Sequence, residues 1–136
     1  TEFNNLGEKL ADQYSTLEVL PDIFINGKFT LGENIGDLGG INASFDALKL
    51  HFKKHGKPEP IEGFSPEERF FLSWGTVWRT KTREEALKNQ VRTDPHSPGI
   101  QRAMQPLKNM EAFYATFNVK EGDSMYLKLE ERVIIW

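Results

Sequence analysis

Cysteine is absent from the 136 residues, so disulfides, thiolate ligands and thiol nucleophiles are excluded. That absence suits cytoplasm, periplasm and cell surface alike and does not choose among them. No run of about 18 apolar residues occurs, so no transmembrane helix is expected. A strong charge of either sign is also missing. The net charge of -3, with a pI near 5.6, gives no electrostatic reason to expect a nucleic-acid partner. Histidine is scarce, at three residues, and His-Glu-x-x-His, the helical zinc pattern, occurs nowhere. There is no signal-peptide pattern, and the chain opens on Thr1 rather than Met, so a piece of a longer polypeptide is expected. No internal repeat, low-complexity tract or second-domain linker interrupts it. Hydrophobic residues at 38% and charged residues at 27% are ordinary for one globular domain with a modest core.

What is present is mostly helical periodicity. Leu6, Leu10, Tyr14 and Leu17 predict an amphipathic helix over residues 1–17. Val19 to Ile25 leads into Asn26-Gly27, a favoured two-residue turn. A short hairpin is expected there, its return strand being Lys28-Phe29-Thr30. From there to about His55, Ile35, Leu38, Ile41, Phe45, Leu48 and Phe52 form one apolar stripe, and Gly56 stops the helix. Ser65-Pro66-Glu67-Glu68 is a helix start by its cap, its proline and its glutamate three residues on. The helix runs to about Arg79 and is apolar over much of its surface, which fits burial or a pocket wall. Thr82 is the expected cap of a charged helix through Val91, and Asn109 of one through Phe117. Residues 93–99 form a stiff loop with two prolines, and Ile100 to Gln105 a helical turn. The tail through Trp136 is expected to dock. The fold class is therefore mainly α with a short β-hairpin.

The long helix begins Thr-Leu-Gly-Glu-Asn-Ile-Gly-Asp-Leu-Gly-Gly, residues 30–40. Glu33 and Asp37 are one turn apart on the same face. Paired carboxylates of this kind suit a metal site, one binding the ion and the other orienting a ligand. They equally suit an acidic first turn set against the helix dipole. Gly36, Gly39 and Gly40 each cost a helix about 1 kcal/mol relative to alanine, so close backbone approach is expected along them. His51 and His55 share the zinc spacing. Phe52 replaces the catalytic glutamate, however, and two lysines lie between them, which reads as a solvated helix end. His96, between Pro95 and Pro98, and Arg102 six residues on suit oxyanion stabilisation or carboxylate capture. A backbone-bonded loop histidine with a surface arginine fits the same composition.

Residues 30–40 resemble the Glu-Asn-x-x-Asp motif of the neprilysin and endothelin-converting-enzyme family of zinc metallopeptidases. A second segment, Asp94-Pro95-His96-Ser97-Pro98-Gly99-Ile100-Gln101-Arg102, is similar to that family's Asp-x-His-Ser-Pro-x-x-x-Arg. Phe70 to Trp78 resembles the helix lining the S1′ pocket, and Arg132-Val133-Ile134-Ile135-Trp136 its Arg-Val-Trp ending, with two residues inserted. The resemblance implies Glu33 as the third zinc ligand and Asp37 as partner of a zinc-binding histidine. It implies His96 as transition-state stabiliser, Arg102 as the group binding a substrate carbonyl, and Val77 and Trp78 as pocket residues. By the same resemblance, residues 1–136 are the C-terminal portion of a thermolysin-like (gluzincin) catalytic domain. Its zinc site is incomplete, its partners are a peptide substrate and the upstream part of the same polypeptide, and the fragment alone is inactive. The family's cysteines are missing, which implies a bacterial-type member in the periplasm or cell envelope. A stand-alone helical peptide-binding module without chemistry is the alternative.

Overall fold

Thr1 caps the first helix, its hydroxyl accepting from the Asn4 amide, and α1 runs Glu2–Ser15. In the computed structural model, which describes residues 1–135, the next elements are β1 (Glu18–Leu20) and β2 (Ile23–Phe24). They pair antiparallel as a two-stranded ribbon. The hairpin therefore turns at Pro21-Asp22, with Asp22 at φ 61°, and not at Asn26-Gly27 as expected. The reason is local bonding. The Glu18 carboxylate accepts from the Asp22 amide at 2.8 Å and closes the earlier turn. Asn26 instead serves the next helix, accepting from the amides of Phe29 and Thr30. Gly27 lies against α1, where an added Cβ would sit 1.9 Å from the Ala11 carbonyl oxygen. That contact, and not a hairpin turn, requires glycine at this position.

Helix α2 spans Leu31–His55, ending at Gly56 with φ 88°, as its periodicity predicts. Leu38, Ile41 and Phe45 are buried along its stripe. Helix α3 spans Pro66–Val77 with the full capping box: Ser65 Oγ accepts from the Glu68 amide, and the Glu68 carboxylate from the Ser65 amide. Within α3 only Pro66 and Phe71 are buried, while Phe70, Trp74 and Val77 line a groove against α2, so of burial or a pocket wall the second is what forms. Phe71 stacks on Phe45 at 5.2 Å and joins α3 to α2.

Helix α4 spans Glu84–Thr93 and α5 Gly99–Met104. A 3-10 turn at Leu107–Asn109 precedes α6, Glu111–Phe117. Neither expected cap forms. Arg83 and Met110 hold the cap positions of α4 and α6, without side-chain cap bonds. Asn109 has a different task. Its Oδ1 accepts from the Val133 amide and the Gln13 side chain, and its Nδ2 donates to Gln13 Oε1.

These bonds hold the C-terminal strap, which includes a last 3-10 turn, Leu129–Glu131, on α1. Lys9 donates to the carbonyls of Glu130 and Arg132, and Gln13 to that of Glu131. Val133 is 1% exposed, and the Arg132 guanidinium stacks over Tyr114 at 3.6 Å. The expected docking of the tail thus holds through Val133, while Trp136 lies outside the described residues. One core unites α1, α2, α3 and the strap, from Leu10 and Tyr14 through Ile41 and Phe71 to Val133. Among the described residues no helix is long and apolar enough to cross a membrane.

Candidate metallopeptidase site

The first turns of α2 present Glu33 and Asp37, and the loop before α5 carries His96 directly beside them. His96 Nε2 lies 3.2 Å from Glu33 Oε2, and both side chains are nearly half exposed. His96 Nδ1 lies 2.7 Å from Asp94 Oδ1, which also accepts from the His96 amide at 2.9 Å. Both ring nitrogens thus face carboxylate oxygens. The Asp94 carboxyl is held below its ordinary value, first by the backbone N–H of His96 and then by its imidazole.

Asp37 lies one turn deeper than Glu33. Arg102 Nε and Nη2 donate to its two oxygens at 2.7 and 2.8 Å, a bidentate pair in which both partners are largely buried. The Arg102 guanidinium is held above its ordinary pKa chiefly by those bonds, and it stacks over the Trp78 ring at 4.1 Å. Tyr14 forms part of the floor. Its hydroxyl is buried without a hydrogen-bond partner among the described residues, and burial, then the Asp37 charge, pushes its pKa up.

The loop approaches α3 closely. A Cβ at Gly99 would lie 2.8 Å from Thr80 Oγ1 and 2.9 Å from the Trp78 carbonyl oxygen. Trp74 Nε1 donates to the Ala103 carbonyl at 3.1 Å, fastening α5 to α3. Five of the six residues that the resemblance assigns to the site therefore gather in one place: Glu33, Asp37, His96, Arg102 and Trp78. Val77 is exposed and lines a separate groove between α2 and α3 with Ile41, Phe70 and Trp74. His51 and His55 stack at 4.6 Å on the exposed far end of α2, away from this cluster.

Two residues given no role from sequence stand out between the motifs. Ser97 Oγ donates to Asn34 Oδ1 at 2.9 Å, and each residue is 1% exposed. Nothing in the apolar periodicity signals a buried asparagine and serine. The cue was their adjacency to Glu33 and His96. The glycine expectation needs correcting. A Cβ at Gly36 or Gly40 would meet nothing within 4 Å among the described residues, so no close backbone approach is seen at these two positions, whereas Gly39 is buried. Gly36 and Gly40 are exposed on α2.

A zinc ion fits this donor set only as a partial share. Glu33 is an exposed carboxylate on an open face, suited to one ligand position. Among the described residues no group of three histidine, cysteine or carboxylate side chains could hold a metal ion. Completing the usual tetrahedral set would take donors from outside this chain.

The family model for peptidase family M13 matches residues 1–133. The chain belongs to peptidase family M13. Among M13 and related proteins, it is 37% identical to an endothelin-converting enzyme homolog of Locusta migratoria, over 90% of this chain and 17% of that protein. It is 39% identical to a neutral endopeptidase of Lactococcus lactis, over 82% of this chain and 16% of that protein. The Mycobacterium tuberculosis zinc metalloprotease ZMP1, solved with an inhibitor, superposes with a TM-score of 0.93 at 37% identity. That match covers 99% of this chain and 21% of the other. The chain thus spans less than a quarter of these M13 relatives. Its mainly helical build with one short hairpin is that of a portion of a gluzincin-type metallopeptidase domain.

Proposed function

We propose that residues 1–136 are the C-terminal portion of a zinc endopeptidase catalytic domain that cleaves peptides on the amino side of large hydrophobic residues. The observation that carries this reading is the 3.2 Å approach of His96 to Glu33, beside the Asp37–Arg102 pair. Two sequence motifs far apart in the chain meet there side by side. Glu33 would hold zinc, together with two histidines from the upstream part of the same polypeptide. Zinc, when bound, would polarise the scissile carbonyl and lower the pKa of a bound water.

The residues of this chain take the remaining roles. Asp94 fixes one ring nitrogen of His96, and Nε2, which faces Glu33, would donate to an oxyanion formed beside that carboxylate, typically a contribution of about 2.7–4 kcal/mol. Asp37 would orient one of the upstream histidines. Its bidentate bonds already hold Arg102 in place, and the outer edge of that guanidinium would donate to a substrate carbonyl. Trp78 supports the guanidinium from below, and Val77, on the neighbouring groove that Trp74 joins to Trp78 at 5.5 Å, would form with Trp78 the apolar wall that selects the residue after the cut. The general base would come from the upstream part. These 136 residues lack cysteine, which suits a bacterial-type member, and such a member would work in the periplasm or cell envelope.

The test is direct. An upstream His-Glu-x-x-His in the same reading frame is expected. The full-length protein should show zinc-dependent peptide hydrolysis that Glu33→Ala abolishes, while the purified 136-residue chain shows none. Robust hydrolysis by the isolated chain, or a start codon at this point with no upstream partner, would overturn the reading. The latter would favour a non-catalytic peptide-binding module.

A further inference from the structure

Glu33 and His96 are each nearly half exposed, so packing around their own side chains does not fix their spacing. What joins their backbones lies one residue along in each motif. Ser97 Oγ donates to Asn34 Oδ1 at 2.9 Å, and Asn34 Nδ2 donates to Thr30 Oγ1 at 2.9 Å. Thr30 Oγ1 in turn donates to the Asn26 carbonyl at 3.2 Å. Every link in this chain donates in the same direction, so each bond polarises the next. Ser97 and Asn34 are 1% exposed and Thr30 is 4% exposed. Water does not compete for them, and breaking one link strands a buried polar atom.

We infer that Ser97 and Asn34 are positioning residues: their hydrogen bond sets the spacing between the Glu33 carboxylate and the His96 imidazole. The inference rests on the peptidase reading, in which those two side chains act on one reacting centre. Asp94 fixes the orientation of the imidazole within its own loop, but it cannot fix the distance from that loop to α2. The Asp37–Arg102 pair joins the same two segments on the far side of the site. Trp74 and the close approach at Gly99 hold the end of the loop beside α3, and Gln90 Nε2 donates to the His96 carbonyl at 3.5 Å. None of these reaches the first turn of α2, so setting the spacing to Glu33 takes a second tether to α2. The bond from Ser97 to Asn34 is that second tether. Two tethers define a spacing where one defines only a hinge.

The experiment uses the full-length protein carrying Ser97→Ala, Ser97→Thr, Asn34→Leu, and Ser97→Ala with Asn34→Leu. Supporting groups one step removed from a metal site typically matter 10- to 100-fold. Ser97→Ala is expected to lower kcat at least tenfold, with KM within twofold and zinc still bound one to one. Ser97→Thr, which keeps the hydroxyl, should recover most of the rate. The double variant should be no slower than the worse single variant, because the two side chains act as a unit. A second readout needs no activity: amide hydrogen exchange across residues 94–97 should quicken about tenfold in Ser97→Ala, with residues 38–52 unchanged. A kcat within twofold of wild type in folded, zinc-loaded Ser97→Ala overturns the inference, as do additive losses in the double variant. If the wild type hydrolyses no peptide, the peptidase reading fails and the positioning role with it. The exchange data then separate the two failures: faster exchange leaves a structural tether without a catalytic role, and unchanged exchange removes the tether as well.

Discussion

Asp37 and Arg102, 65 residues apart in sequence, meet as a bidentate pair with N–O distances of 2.7 and 2.8 Å. The geometry matches a planar guanidinium fork to a carboxylate, which lysine cannot reproduce. It also means that the substrate-facing arginine of the proposed site is anchored before any peptide arrives.

Removing Arg102 would leave the Asp37 charge buried and unpaired. Arg102→Ala is expected to destabilise the chain by about 3–5 kcal/mol, whereas Asp37→Leu with Arg102→Met should cost clearly less than either single change. Urea unfolding of the four proteins decides this. Equal, additive losses would show that the pair contributes no mutual support.

The glycines divide into two kinds. Gly27→Ala drives a methyl group into the Ala11 carbonyl and should cost at least about 2 kcal/mol. Gly36→Ala meets open space and should stabilise the isolated chain by up to about 1 kcal/mol, the helix-propensity difference. Thermal melts would give opposite shifts. A destabilising Gly36→Ala would mean that something packs against that face even in the isolated chain.

The Asp94 carboxyl is held below its ordinary value, first by the His96 amide. Its folded pKa therefore lies below its unfolded one, near 3.9. Its contribution to stability is fully present above the unfolded value and is lost as pH falls through the depressed folded value. The stability gap between wild type and Asp94→Asn should be constant from about pH 7 to pH 5 and close at lower pH. Urea midpoints measured at several pH values test the sign, and a gap that widens on acidification would reverse it.

Trp78 and Val77 should separate in their effects. Val77 is 68% exposed, so Val77→Ala should change stability by less than about 0.5 kcal/mol. In the full-length protein it should nonetheless lower the preference for phenylalanine over alanine after the cut by about tenfold. Trp78→Ala removes the ring beneath Arg102 and should cost about 0.5–2 kcal/mol in stability. Hydrolysis of paired peptides, with unfolding curves alongside, measures both. An unchanged preference in Val77→Ala would remove it from the pocket wall.

Much of the architecture was legible because it is local. The α2 stripe from Ile35 to Phe52, the stop at Gly56 and the box at Ser65–Glu68 follow from spacing and capping chemistry within a few residues. The hairpin was misplaced because Asn26-Gly27 has the composition of a hairpin turn. Its glycine is needed instead for contact with α1, and its asparagine serves the start of α2. Asn109 was misread as a cap for a similar reason, since its side chain bonds Gln13 and Val133 across the fold.

The sequence by itself determined the helical framework, the absence of thiol chemistry, and the two motif segments that make the chain recognisable as a metallopeptidase piece. Those properties depend on residue types at fixed short spacings, which any chain carrying them displays. Tertiary structure alone decided that His96 stands beside Glu33, that Ser97 bonds Asn34, and that Arg102 is locked on Asp37. Those are relationships between segments more than 60 residues apart, as the separations of 63 and 65 for Asn34–Ser97 and Asp37–Arg102 record. Packing of α1, α2, α3 and the strap around one core sets them, and no local spacing encodes that packing.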